Sequence, residues 1–323
     1  LKKRKLKKKV IRKLLVLVLA LTLLAFFVIR SKDITEKINM DEIRTKEKEL
    51  RDQYNICLTS PYKEDELTED LIIEMDNITK YIQQNYNISL VYEDMATGFI
   101  YTYKEKTVFY GASLVKLAEA LYLYEAASNG DIDLDEKIVY LSSDRMIPAR
   151  GMEKYKTGDK IPLKEIISYA LLYSDNASHK IMQRLIGISN LRNYIKDLGA
   201  NIYFGDTFGE WSAYDTNMIL KRLYTFIKEN EELGKELTGW LINDDEQYMV
   251  NSELAAHKYG YYAHWFHDIA IVYENNPYTL SIFTNHGATN YSAVIKNISE
   301  RILKLHNKFY DHRQETCYEE VYK

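Results

Sequence analysis

The chain reads as an α/β protein of the α+β kind: a five-stranded antiparallel sheet flanked by terminal helices, plus an all-helical lobe, after an N-terminal transmembrane helix. Three observations predict this. Alternating apolar and polar residues mark strands at 88–93 and 99–103, and again at 255–261, 268–273 and 278–284. Residues from about 113 to 243 instead carry helical periodicity, broken by turn signals at Gly130-Asp131, Gly158-Asp159 and Gly199. Apolar residues at helical spacing bracket the strands, with Leu71, Ile72, Met75, Ile78 and Ile82 before them and Ile295, Ile298, Ile302 and Leu305 after them. Strands from both ends of the domain can therefore share one sheet, with the first and last helices on one face and the middle block as a separate lobe. A ligand site is expected in the cleft between sheet and lobe.

The N-terminus has its own logic. Residues 1–13 hold nine Lys or Arg and no acid, so the other 310 residues carry 34 basic against 47 acidic groups. An acidic domain of this kind has no electrostatic reason to bind nucleic acid. Residues 14–29 are uncharged and mostly apolar. As a helix they would rise about 24 Å, slightly short of a bilayer core of roughly 30 Å, and Arg12, Lys13 and Arg30 can snorkel to close the gap. The basic flank predicts a cytoplasmic N-terminus and an exported remainder. A cleaved signal peptide has the same order of regions, but residues 26–32 contain no small-x-small cleavage site. The expected layout is a basic cytoplasmic segment at 1–13, an anchor in the cytoplasmic membrane at 14–30, a charged stalk at 31–66, the folded domain at 67–308 and a tail at 309–323. Cys57 and Cys317 match no metal pattern; outside the membrane they can oxidise together or remain two thiols.

Three short elements carry chemistry. Ser113-Leu114-Val115-Lys116 opens an apolar helix, and i,i+3 spacing brings the Lys116 amine within reach of the Ser113 hydroxyl. The same spacing recurs at Ser60–Lys63, but there it contains Pro61 and no apolar helix follows. Ser174-Asp175-Asn176 joins two apolar helical stretches and offers a hydroxyl to relay a proton and an amide to hold a carbonyl, while its residue types also suit a helix N-cap. Lys258-Tyr259-Gly260 lies on the first of the last three strands, where a cation could fix a carboxylate and glycine permits close backbone approach. The amides of Tyr261 and Ser113 could form an oxyanion hole. A literal Lys156-Thr157-Gly158 precedes the second element and reads as a turn. His257, His264 and His267 match no zinc spacing, so neither metal nor cofactor is expected.

The order Ser-x-x-Lys, Ser-Asp-Asn, Lys-x-Gly within this element order resembles the class A β-lactamase and penicillin-binding-protein superfamily, over residues 68–308. The resemblance implies a β-lactamase/transpeptidase-like fold and a serine hydrolase forming an acyl-enzyme at Ser113. Lys116 would accept the Ser113 proton, in the neutral form that burial beside Lys258 favours. Ser174 would pass the proton to the leaving nitrogen, Asn176 would hold the substrate amide and Lys258 its carboxylate. The implied partner is a β-lactam or a peptidoglycan-type peptide, with antibiotic resistance as a corollary of lactam hydrolysis.

Two departures qualify the resemblance. The middle residue of the third motif is usually Thr or Ser, and here it is Tyr259 beside Tyr261 and Tyr262, so carboxylate recognition is in question. Class A lactamases also resemble one another in a Glu-x-x-Leu-Asn loop whose glutamate activates water. No such string lies between Asn176 and Ala213, where Glu210 and Asp206 are the nearest acids. Without that base, worth 10²–10⁴ in rate, deacylation would face a barrier higher by about 3–5 kcal/mol. A D,D-peptidase or penicillin-binding protein with slow deacylation is thus an alternative to a lactamase, as is a non-catalytic binding module on the same fold.

Overall fold

All five strands of the main sheet run antiparallel, in the order β2-β1-β9-β8-β7. They are β1 (Ile88–Asp94), β2 (Ile100–Tyr103), β7 (Ala255–Tyr262), β8 (Trp265–Val272) and β9 (Tyr278–Thr284). The computed structural model describes residues 21–22, 40, 42–85, 87–200, 208–243, 254–285 and 291–323. Strands from the two ends of the domain meet along β1 and β9, paired from Ile88 opposite Thr284 to Asp94 opposite Tyr278. β7 is left as an edge strand.

Helices α2 (Glu69–Asn85) and α9 (Tyr291–Tyr322) share one core with a face of the sheet. Leu71, Ile78 and Ile82 of α2 and Ile295, Ile298, Ile302 and Leu305 of α9 pack with Leu90, Tyr92, Leu280 and Ile282. Each such side chain, fully buried, contributes about 1.5–3 kcal/mol of transfer free energy. Ile72, expected on the apolar face, is instead 43% exposed. Glu74 is buried in that region and paired with Lys304 and Lys308 of α9.

The opposite face contributes Val91, Ala256, Ile269, Ile271 and Phe283 to a second core with the helical lobe. That lobe comprises α3 (Val115–Ser128), α4 (Leu163–Leu172), α5 (Asn176–Ile186), α6 (Ile188–Asp197), α7 (Ala213–Glu229) and α8 (Glu231–Ile242). Covered on both faces, β1 buries its polar positions too. Glu93 is satisfied by Asn217 at 2.7 Å and Lys221 at 2.5 Å, both from α7. Two-stranded ribbons complete the lobe: β3 (Phe109–Tyr110) with β6 (Glu210–Trp211), and β4 (Lys137–Val139) with β5 (Lys160–Pro162). Lys156-Thr157-Gly158 lies just before β5, with Gly158 at φ +99°.

The chain divides into two compact units, 59–314 and a smaller one of 1–58 with 315–323. In the smaller unit a helix α1 spans 42–58, so part of the stretch read as a stalk is helical, and α9 runs on through residues 309–322 of the stretch read as a C-terminal tail. Cys57 is disulfide-bonded to Cys317. The segment read as a membrane anchor lies outside the described residues except for Leu21 and Thr22, and no described helix is long and apolar enough to cross a membrane. Non-reducing peptide mapping of protein made in an oxidising compartment is expected to recover one cross-linked peptide pair joining Cys57 to Cys317; two free thiols by alkylation would contradict the pairing.

Candidate active site

Ser113 lies in a 3-10 turn, Ala112–Leu114, that runs directly into α3. Its neighbour Ala112 has φ +50°, a left-handed conformation costing a non-glycine residue roughly 1–2 kcal/mol, so surrounding contacts must hold it. Three of them are evident. The Gly111 amide donates to Gly209 O at 3.0 Å. The Trp211 indole lies so close to Gly111 that a Cβ there would sit 2.1 Å from its Cδ1. On the other side, a Cβ on Gly260 would sit 2.6 Å from Gly111 O, so only glycine lets edge strand β7 come this close to the turn. In this structure, the glycine of the third motif thus makes room for the serine's own loop.

His267 of β8 adds a fourth restraint. It is fully buried, which holds its pKa down at about 4, so the ring is neutral at physiological pH. The Thr284 amide donates to Nδ1 at 3.2 Å, which leaves Nε2–H to donate to Tyr110 O at 2.9 Å. The three histidines that cluster in sequence go to separate places. His257 pairs with Asp268 at 3.1 Å, His264 packs on Trp265, and His267 holds the turn before the serine.

Lys116, in the first turn of α3, is fully buried. Its Nζ lies 2.9 Å from Ser113 Oγ, 2.6 Å from Ser174 O, 3.2 Å from Ser174 Oγ and 2.8 Å from Asn176 Oδ1. The first two motifs thus meet at one amine. Ser174 is itself left-handed, at φ +52°, which turns both its carbonyl and its hydroxyl toward that amine. Asp175 caps α5 by accepting from Ser178 N at 2.7 Å and also takes the amides of Gly151 and Met152. It pins the 146–152 segment, whose Ile147 and Pro148 carbonyls accept from Asn176 Nδ2 and N.

One turn further along both helices, the spacing repeats. Glu119 and His179 follow Lys116 and Asn176 by three residues, and they pair at 2.8 Å, both fully buried. Phe208 spans the two rungs, stacked on His179 at 4.7 Å between ring centroids and 5.8 Å from Lys116 Nζ. Neither the Glu119–His179 pair nor Phe208 was singled out by the sequence patterns. The 116/119 and 176/179 echo was the available signal, and it becomes readable only once α3 and α5 are known to be neighbours.

The site opens into a cavity of about 530 Å³. Ser113, Ser174 and Asn176 lie on its floor, Met146, Ile147, Pro148 and Arg150 form one wall, and six aromatic residues complete it: Tyr110, Tyr173, Phe208, Tyr259, Tyr261 and Tyr262. Among the described residues, no carboxylate lines it. Glu210 is exposed on β6, opposite Tyr110, and is not on the cavity wall; Asp206 lies outside the described residues. Lys258 is fully buried, with Nζ 4.0 Å from the centroid of the Tyr259 ring, and the cavity wall presents Tyr259 instead of the ammonium.

A family model described as the beta-lactamase enzyme family matches residues 73–306. The chain belongs to that family. Membership makes it a serine hydrolase of the β-lactamase type. A β-lactamase from Chitinophaga pinensis, 18% identical, matches with a TM-score of 0.66 over 74% of this chain and 100% of its own. PBP-A, 16% identical, matches with 0.68 over 73% and 96%, and a point mutant of PBP-A is described as an acyl-enzyme complex with penicillin G. The TLA-3 extended-spectrum β-lactamase, 18% identical, reaches 0.65 over 72% and 98%. At these identities the likeness shows the β-lactamase fold. No curated protein matches the chain.

Two outcomes follow from how the serine turn is held. Gly260→Ala is expected to lower stability by about 1–3 kcal/mol through overpacking against Gly111, and to slow any reaction at Ser113, as read by thermal melting and active-site labelling. His267→Phe removes the hydrogen bonds that the ring makes with the Tyr110 carbonyl and the Thr284 amide, costing about 1–3 kcal/mol at pH 7. The native state keeps His267 neutral down to about pH 4, whereas the unfolded chain protonates it near 6.5, so its stabilisation is lost as pH falls through that window. The stability gap between wild type and His267→Phe should accordingly narrow from pH 6.5 to 4 in denaturant titrations; a constant gap would refute the assignment.

Proposed function

We propose that the chain is a membrane-anchored, extracytoplasmic acyl-enzyme protein that takes an acyl group onto Ser113 from a β-lactam or a related cell-wall peptide and releases it slowly. The observation that carries this reading is the buried Lys116 amine, 2.9 Å from Ser113 Oγ and ringed by Ser174 and Asn176 oxygens. A neutral amine there takes the serine proton as Oγ attacks the acyl carbon. The Ser174 hydroxyl, 3.2 Å from the same amine, then returns that proton to the leaving nitrogen. Asn176 is oriented by its bonds to Lys116 and Ile147 to meet the substrate amide, and the Ser113 and Tyr261 amides serve the developing oxyanion.

The cavity lining supports slow release. Hydrolysis of the serine ester needs an activated water, and no carboxylate of the described residues faces the site. The same lining separates this reading from an efficient lactamase. Export is supported by the basic-then-apolar N-terminus and by the Cys57–Cys317 disulfide, a bond suited to an oxidising compartment.

Intact-mass spectrometry of the protein with penicillin G, followed over time beside Ser113→Ala, tests the reading. The expected result is an adduct that persists on the wild type, is absent from Ser113→Ala and forms at least about 10²-fold more slowly on Lys116→Ala. An adduct that forms and clears as antibiotic is consumed would mean efficient deacylation. Absence of both adduct and hydrolysis would favour a binding module.

A further inference from the structure

We infer that the site selects acyl donors whose end beside β7 is uncharged and apolar, because Tyr259 covers the ammonium of Lys258. This rests on the acyl-enzyme reading of Ser113 and specifies its substrate class. Lys258 is fully buried, its Nζ sits 4.0 Å from the Tyr259 ring centroid, and Tyr259 is what the cavity wall presents. A cation against an aromatic face is already stabilised by the ring's quadrupole. A substrate carboxylate would have to displace the ring or lose its own hydration against it.

The rest of that wall is aromatic as well. Tyr110 packs against Phe208 at 6.4 Å and against Tyr262 at 5.5 Å between centroids, making a continuous ring surface beside the serine. Tyr261 and Tyr262 are 45% and 62% exposed at the mouth, an amphipathic rim suited to an aromatic or aliphatic group with polar edges. Arg150 is the one cation among the described lining residues, and it belongs to the wall that carries Ile147 and Pro148.

Penicillin G and its methyl ester differ only in the carboxylate. With either, the lactam C–N bond breaks, the Ser113 O–C bond forms, and the serine proton ends on the lactam nitrogen, with no oxidation or reduction. The full-length protein is reacted with each, and adduct formation at Ser113 is timed by intact mass. The methyl ester should acylate about tenfold faster than the acid. Tyr259→Ser, which removes the ring from Lys258, should bring the ratio to one or reverse it, while Tyr259→Leu, which keeps the bulk, should preserve the ester's lead. Should Tyr259→Ser fail to fold by thermal melting, the wild-type ratio and Tyr259→Leu still decide.

A faster acid on the wild type overturns the inference and leaves the acyl-enzyme reading standing. If that preference vanished in Arg150→Ala, anion recognition would lie at the other wall. An ester lead that survives unchanged in folded Tyr259→Ser also overturns it. Neither adduct nor hydrolysis with either compound overturns the acyl-enzyme reading itself, and this inference with it.

Discussion

Everything at this site depends on one buried amine. Lys116 Nζ has no exposure to water, and oxygens of Ser113, Ser174 and Asn176 surround it. An amine removed from water is costly unless its hydrogen bonds are remade, so those oxygens are held to it as firmly as it is to them. The consequence is architectural as well as chemical. Because Lys116 belongs to α3 while Ser174 and Asn176 lie just before and at the start of α5, satisfying the amine sets the distance between the two helices. The Glu119–His179 pair repeats the bond one turn along the same helices and makes that register harder to shift.

The serine is positioned by a second set of constraints that act on backbone alone. A left-handed Ala112 is not a conformation alanine prefers, and it persists where neighbours over-determine it. Gly111 and Gly260 allow Trp211 and strand β7 to close on the turn from two sides, and neutral His267 fixes the carbonyl that enters it. Sheet and helical lobe therefore meet at the nucleophile. The edge position of β7 matters here, since an interior strand would have no free flank to offer the cavity.

Chemistry and recognition are unevenly developed around this centre. Ser113, Lys116, Ser174 and Asn176 converge closely, and the described part of the cavity wall is largely aromatic. Lys258 is present yet covered, so retention of a motif residue and availability of its charge are separate matters. A fold common to β-lactamases and PBP-A does not by itself fix how the walls of the site are lined.

The order of the main elements, the sharing of one antiparallel sheet by strands from both ends and the spacing of the first two motifs were legible in the chain because they rest on local rules. Period-2 and period-3.6 patterns mark strands and helices, and Ser113 and Lys116 share a face by helical geometry. Asp175 as an N-cap follows from residue type in the same way. What stayed hidden depends on contacts between elements distant in sequence. Ile72 looked apolar-facing but turned outward, while Glu74 turned inward because α9 supplies Lys304 and Lys308. His267 reads as a stray histidine until β8 is packed beside Tyr110, and Phe208 until it stacks across Lys116 and His179. Sequence alone determined which groups could do chemistry, because reactivity belongs to residue type and short-range spacing. Tertiary structure alone decided which of them face the cavity, because burial and the covering of Lys258 by Tyr259 arise only when non-local segments close on one another.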